Sequence, residues 1–142
     1  MNNRNVNFKE DQKPLLVMGT EKELYPGEIK DLILETLSES IKNSSRSRRN
    51  DVIRDIIACN DYQAIGKNKV AKLKNVLKKY DNMDRTVKSS LEEFGFKIIN
   101  GHNKHVIGKY YNDNRYKVTF STTPSDHRAG LNLISDVTRV CM

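Results

Sequence analysis

Residues 104–121, KHVIGKYYNDNRYKVTFS, alternate apolar and polar side chains on both sides of an NDN connection. This period-two pattern constrains the fold more than any other part of the chain. It predicts strands over 104–111 and 115–121, joined as a hairpin in which Asn114 can take a positive φ. Closing the hairpin at NDN pairs Tyr111 with Arg115. Counting back then sets Lys109 opposite Lys117, Ile107 opposite Thr119 and His105 opposite Ser121. Those eight side chains share one face, and Val106, Gly108, Tyr110, Tyr116, Val118 and Phe120 share the other, which reads as the core face.

The flanking sequence supplies the rest of the unit. Val70, Leu73, Leu77, Tyr80, Val87, Leu91 and Phe94 recur every three or four residues. We read two helices there, broken at DNMD, with Asp84 capping the second; a single long coiled-coil helix is the alternative. Gly95 suits a left-handed helix end, Phe96 packs back on that helix, and a strand follows over 97–100. Thr123-Pro124-Ser125-Asp126 reads as the capped start of a closing helix that runs to about Arg139. A helix–strand–strand–strand–helix unit covers one sheet face with its helices and leaves the other open. The expected fold class is therefore α+β. An extended arm occupies 1–25, a basic helical region 26–82, and an α-β-β-β-α domain with a three-stranded antiparallel sheet 83–142.

Charge is unevenly distributed. Residues 1–42 carry 6 Lys/Arg against 8 Asp/Glu, residues 43–80 carry 10 against 3, and residues 81–142 carry 9 against 7. In the helix expected after NSSRS, Ser47 or Asn50 can act as cap, and Arg46, Arg48, Arg49 and Arg54 crowd its start. Cations at a helix N-terminus oppose the macrodipole, so they point to an anionic partner rather than to helix stability. A local basic excess of this kind attracts phosphate through counterion release. The chain has no apolar run of membrane-spanning length, and its first residues, MNNRNVNFKEDQ, lack the apolar segment of a secretory leader. Cys59 and Cys141 lack metal or redox spacing, which fits reduced thiols in a cytoplasmic protein. His102, His105 and His127 have no cysteine partners and no carboxylate motif, so neither metal nor cofactor is expected. Phosphate-binding loops, dinucleotide fingerprints and nucleophile elbows are missing from the sequence.

With these elements in place, VKSSLEEFGFKIINGHNKHVIGKYY and RYKVTFSTTPSDHRAGLNLISDV resemble the HicA family of toxin–antitoxin ribonucleases, whose small domain is double-stranded-RNA-binding-like. LEEFGFKI, the histidine of KHV, the strand ending VTFS and a closing helix after a proline carry the likeness. It spans roughly the last 40% of the chain. The resemblance implies that His105, the strand histidine, is the catalytic residue. Where the family usually shows a G-S-H-H run, this chain reads Gly101-His102-Asn103-Lys104-His105. His102 is then the second acid/base candidate.

Residues and resemblance together lead to a nucleic-acid-binding protein, with RNA favoured over DNA. The expected contacts are Arg46, Arg48 and Arg49 in the helical region and Lys104, Lys109, Arg115 and Lys117 on the open sheet face. Ser125, His127 and Arg128 join them at the start of the closing helix, where a phosphate would meet free N–H groups. The alternative is a HicA-like, metal-independent endoribonuclease of toxin or defence type. A third reading is an interaction module whose helices over 28–80 dock a protein partner or a second copy.

Overall fold

The computed structural model describes residues 13–41, 46–78, 80–101, 105–122 and 128–142. Five helices and three strands follow one another as α1 (Glu28–Ser40), α2 (Arg48–Ala58), α3 (Ile65–Leu77), α4 (Arg85–Phe94), β1 (Phe96–Asn100), β2 (His105–Tyr110), β3 (Lys117–Ser121) and α5 (Ala129–Cys141). The fold is α+β, with an antiparallel sheet in the order β1-β2-β3. Residues 13–24 hold neither helix nor strand. The Thr123-Pro124 helix start lies outside the described residues.

Local chemistry explains the boundaries. The Ser47 hydroxyl accepts the Asn50 N–H at 3.1 Å and opens α2. The Asp84 carboxylate accepts the Val87 N–H at 2.9 Å and opens α4, so the apolar repeat of 70–94 is two helices. Gly95 ends α4 at φ 130°, a conformation costly for any residue with a Cβ. A Cβ there would also come within 2.6 Å of the Tyr111 ring.

The hairpin register holds over the strands: Lys109 faces Lys117, Ile107 faces Thr119 and His105 faces Ser121. Its turn differs from the expected three-residue NDN loop. The Tyr110 N–H donates to the Tyr116 carbonyl at 2.9 Å, so five residues, 111–115, form the connection. Tyr111 and Asn112, not Asn114, take positive φ, at 49° and 59°. Tyr111 and Arg115 therefore leave the sheet face on which strict alternation puts them. Tyr111 is drawn off because its N–H donates to the Gly95 carbonyl at 2.8 Å and its ring stacks on Tyr25.

One core binds the helices to the inner sheet face. Leu73, Leu77, Tyr80, Val87, Leu91 and Phe94 meet Phe96, Val106, Tyr110, Val118, Phe120, Leu133 and Val137. This core runs across position 82, because α3, which belongs to the basic region by sequence, packs between α4 and α5. The α3–α5 contact is tight: a Cβ on Gly130 would lie 1.9 Å from the Leu77 carbonyl oxygen. The helix α1 joins through a buried carboxylate. Asp31 accepts the N–H of Gln63 at 2.9 Å and of Ile65 at 3.0 Å, capping α3 from another helix.

A second junction is centred on Lys69. Its ammonium lies 4.0 Å from the Tyr25 ring centroid, 4.8 Å from Phe94 and 5.1 Å from both Tyr110 and Tyr111. The Tyr110 hydroxyl accepts from it at 3.0 Å and that of Tyr111 at 3.3 Å. Burial lowers the Lys69 pKa from 10.5 to about 8, against a smaller opposing pull from Cys141 and Glu28. The four ring faces also favour the ammonium and moderate that drop.

Two predictions follow from this packing. Gly130→Ala should destabilise by about 1 to 3 kcal/mol or more, since the obstacle is backbone that cannot swing away. Gly19→Ala, with nothing within 4 Å of its added Cβ, should stay within about 0.5 kcal/mol. Equal urea midpoints for the two variants would contradict the helix contact.

The second prediction concerns pH. Between about 8 and 10.5 the unfolded chain keeps a proton on Lys69 that the folded chain releases, so this group makes stability rise with pH from about 8. Burial raises the Cys141 thiol from 9.0 to about 12 and the Tyr25 phenol from 10.0 to about 12. The folded state then holds protons the unfolded state has lost, and stability falls from about pH 9 upward. The urea midpoint should peak near pH 9, and Lys69→Met should abolish the rise while leaving the alkaline fall.

Candidate nucleic-acid interface

The helices cover one face of the sheet; the other is built in three rows across the strands. Lys97 of β1 lies opposite Lys109 of β2, which lies opposite Lys117 of β3. The next row is Ile99, Ile107 and Thr119. The third is Gly101, His105 and Ser121, with the Gly101 N–H donating to the His105 carbonyl at 3.1 Å. Lys97, Lys117, Thr119 and His105 are exposed, and Ile99, Ile107 and Lys109 are half-buried.

The lysine row is the charged feature of this surface. Neighbouring strands are about 4.8 Å apart, so three like charges sit side by side at a cost in stability. None of the three ammonium groups has a hydrogen-bond or ion-pair partner among the described residues. Some cations elsewhere are matched, Lys72 with Glu93 at 2.5 Å and Arg46 with Asp51 at 3.1 Å. The row is an unneutralised cationic stripe spanning the whole sheet.

Lys97 is absent from the residues expected from sequence. The signal for it was present, because the Gly95 cap starts β1 with Phe96 inward and period two then turns Lys97 outward. What was lacking was the β1–β2 register, since residues 101–104 carry no turn signature that fixes it.

Arg115, expected beside this stripe, stands in the hairpin turn instead. Its guanidinium binds Glu21 at 2.6 Å and Asp113 at 2.7 Å, which straps the N-terminal segment to the turn. These hydrogen bonds hold the Asp113 carboxyl down at about 2 and lower that of Glu21 as well. With two carboxylates on it, Arg115 is not a free anion contact.

The arginines at the start of α2 are also partly engaged. Arg46 pairs with Asp51, and the Arg49 guanidinium donates to the Ser40 carbonyl at the end of α1 at 3.4 Å. Arg48 is exposed. The argument from the macrodipole thus meets an intramolecular answer at two of the three positions. This helix packs chiefly on α1, so the structure does not merge the arginines with the lysine stripe.

His105 is exposed at the end of β2, on the same face as the stripe. Its imidazole has no partner among the described residues. Arg128 is exposed and immediately precedes α5, where its carbonyl accepts the Asn132 N–H at 2.9 Å. His102, Lys104, Ser125 and His127 lie outside the described residues. Among those described, no three His, Cys, Asp or Glu side chains are grouped to hold a metal ion, and no helix is long and apolar enough to cross a membrane. No protein-family model, curated protein or solved structure matches the chain.

The two faces differ sharply in energetic terms. His105→Ala should leave stability within about 0.5 kcal/mol of wild type, because the side chain is exposed and unpartnered. Phe120→Ala, on the buried face of the adjacent strand, should cost about 3 to 5 kcal/mol. A melting temperature that drops for His105→Ala as far as for Phe120→Ala would mean the faces are reversed.

Proposed function

We propose that the protein binds nucleic acid, RNA in preference to DNA, across the outer face of its sheet. The observation that carries this reading is the unpaired row of Lys97, Lys109 and Lys117. Three aligned ammonium groups with no counter-charge among the described residues form a surface whose electrostatic cost falls when a polyanion covers it. The preference for RNA rests on the sequence resemblance of residues 87–140 to the HicA family, whose small domain is double-stranded-RNA-binding-like. Among the described residues the three rows hold no aromatic ring other than His105, so base stacking contributes little and contacts go to the phosphate backbone. Binding is then tolerant of sequence and steeply dependent on salt. The free thiols of Cys59 and Cys141 accord with a cytoplasmic setting.

A second reading, a HicA-like endoribonuclease, is favoured by the position of His105 on this same face. Distance argues against a single shared phosphate. His105 and Lys109 are four residues apart on one strand, so their backbones are about 13 Å apart. A general base must come within about 3 Å of the proton it takes. Cleavage at His105 therefore requires a chain running along β2, with one phosphate at the lysine row and another near the imidazole.

Labelled RNA and DNA titrated over a salt series test both readings together. Three phosphate contacts correspond to a slope of log K against log salt of about −2 to −3, depending on strandedness. Replacing Lys97, Lys109 and Lys117 with alanine should flatten the slope by that amount and weaken binding to all sequences alike. An unchanged slope in the triple variant would remove the sheet face from the interface. Loss of RNA cleavage in His105→Ala with affinity retained would establish the nuclease reading.

A further inference from the structure

The N-terminal segment is fastened to the fold in two unequal parts. Residues 23–25 are anchored firmly. The Glu23 carboxylate accepts the Ile29 N–H at 3.1 Å, and the Leu24 N–H donates to the Glu28 carboxylate at 2.9 Å. Leu24 also packs against the core, and the Tyr25 ring lies 4.0 Å from the Lys69 ammonium. Residues 13–22 are held differently. Among the described residues their side-chain hydrogen bonds reduce to those of Glu21, whose carboxylate accepts from both terminal nitrogens of Arg115, at 2.6 and 3.0 Å. Apolar contact adds little here, since Leu15, Leu16 and Val17 are all at least 77% exposed.

Arg115 keeps its place without this segment. The Asp113 carboxylate accepts from its backbone N–H at 2.9 Å, from Nε at 3.1 Å and from one terminal nitrogen at 2.7 Å. The guanidinium fork is therefore aimed by its own turn, and Glu21 is the exchangeable partner. A carboxylate seated on both arms of such a fork is well directed. Yet the Arg115 and Glu21 side chains are 56% and 64% exposed, so salt screens the pair and its grip is weak.

The same segment borders a cavity of about 330 Å³. Glu21 and Lys22 of the loosely held part line it, and the anchored Leu24 lines it beside them. The other lining groups include the buried Glu28 and Tyr110 and the half-buried Cys141. None of Lys97, Lys109 and Lys117 belongs to this lining.

We propose that residues 13–22 form a strap that closes this cavity while Arg115 holds Glu21, and that swings away when the pair is broken, baring the cavity and the Cys141 thiol. The strap turns about the anchored residues Glu23, Leu24 and Tyr25. Its latch is one ion pair on the surface, so opening requires no unfolding of the core. The device stands apart from nucleic-acid binding at the lysine row.

Two rates measured on the full-length protein test the strap. Trypsin cleavage after Lys22 reports release of the segment, and alkylation of Cys141 by iodoacetamide reports access to the cavity, with the exposed Cys59 as internal reference. In the wild type both should be slow at low salt and rise about threefold or more in roughly 0.5 M sodium chloride. Glu21→Gln should raise both rates at low salt and remove their salt response, with the melting temperature unchanged. Arg115→Gln leaves the sequence around Lys22 intact and should reproduce the effect. Rates in the wild type equal to those of both variants would overturn the strap, and an effect confined to one variant would overturn the latch. Faster cleavage with Cys141 no more reactive would overturn the closing of the cavity.

Discussion

The ammonium of Lys69 is the point on which the arm, the helices and the hairpin depend together. It sits on α3, yet its four aromatic neighbours come from the N-terminal segment, α4, β2 and the turn after β2. Desolvating a cation is unfavourable, and among the described residues no carboxylate pairs with it. Ring quadrupoles and two phenol oxygens take the place of a counter-ion. Such an arrangement is short-ranged and directional, so it tolerates little displacement of any one ring. Tyr111 supplies one of those rings only because its backbone adopts a left-handed conformation, which links the turn geometry to the cage.

The outer sheet face follows the opposite logic. Lys69 is surrounded by rings, whereas Lys97, Lys109 and Lys117 are aligned on the open face, with Lys97 and Lys117 exposed and Lys109 half-buried. A sheet built for stability alone would alternate signs along such a row. Arg115 shows that the chain does neutralise cations where structure requires it, since two carboxylates converge on that one guanidinium. The contrast between the strapped arginine and the bare lysines gives the sheet face its functional reading.

How much of this was legible in the sequence depended on the range of the interaction. The hairpin pairing was readable because alternation with period two fixes which residues face each other once the strands are known. Its turn was misjudged because Asn-Asp-Asn is a strong local signal, while what bends the chain is the contact of Tyr111 with Gly95 and Tyr25. The Asp84 cap and the Gly95 helix end are local, and both stand where the residues suggested. Lys97 was missed because its partner, Lys109, is reached only through a connection that carries no register signal. Lys69 looked like one lysine among many on α3. Nothing along the chain shows that Tyr25, Phe94, Tyr110 and Tyr111 will converge on it. On α1 the side turned to the core is that of Leu34 and Asp31, whereas Leu32 and Ile33 are exposed.

Asp31 has a consequence for how the chain acquires its structure. The amides of Gln63 and Ile65, where α3 begins, have no local cap, because Ala64 stands at the N-cap without a side-chain acceptor. Their acceptor is a carboxylate more than thirty residues earlier, on a helix that contacts α3 chiefly through that point. Nucleating a helix is the costly step of its formation, and here that step borrows an oxygen from a distant element. The start of α3 is thus coupled to the docking of α1, a contact of long sequence separation whose closure carries an entropic cost. A fragment beginning at residue 83 would lack Leu73 and Leu77, and one beginning after α1 would deprive the amides of Gln63 and Ile65 of this acceptor. The core and the start of α3 therefore both draw on residues well before position 83.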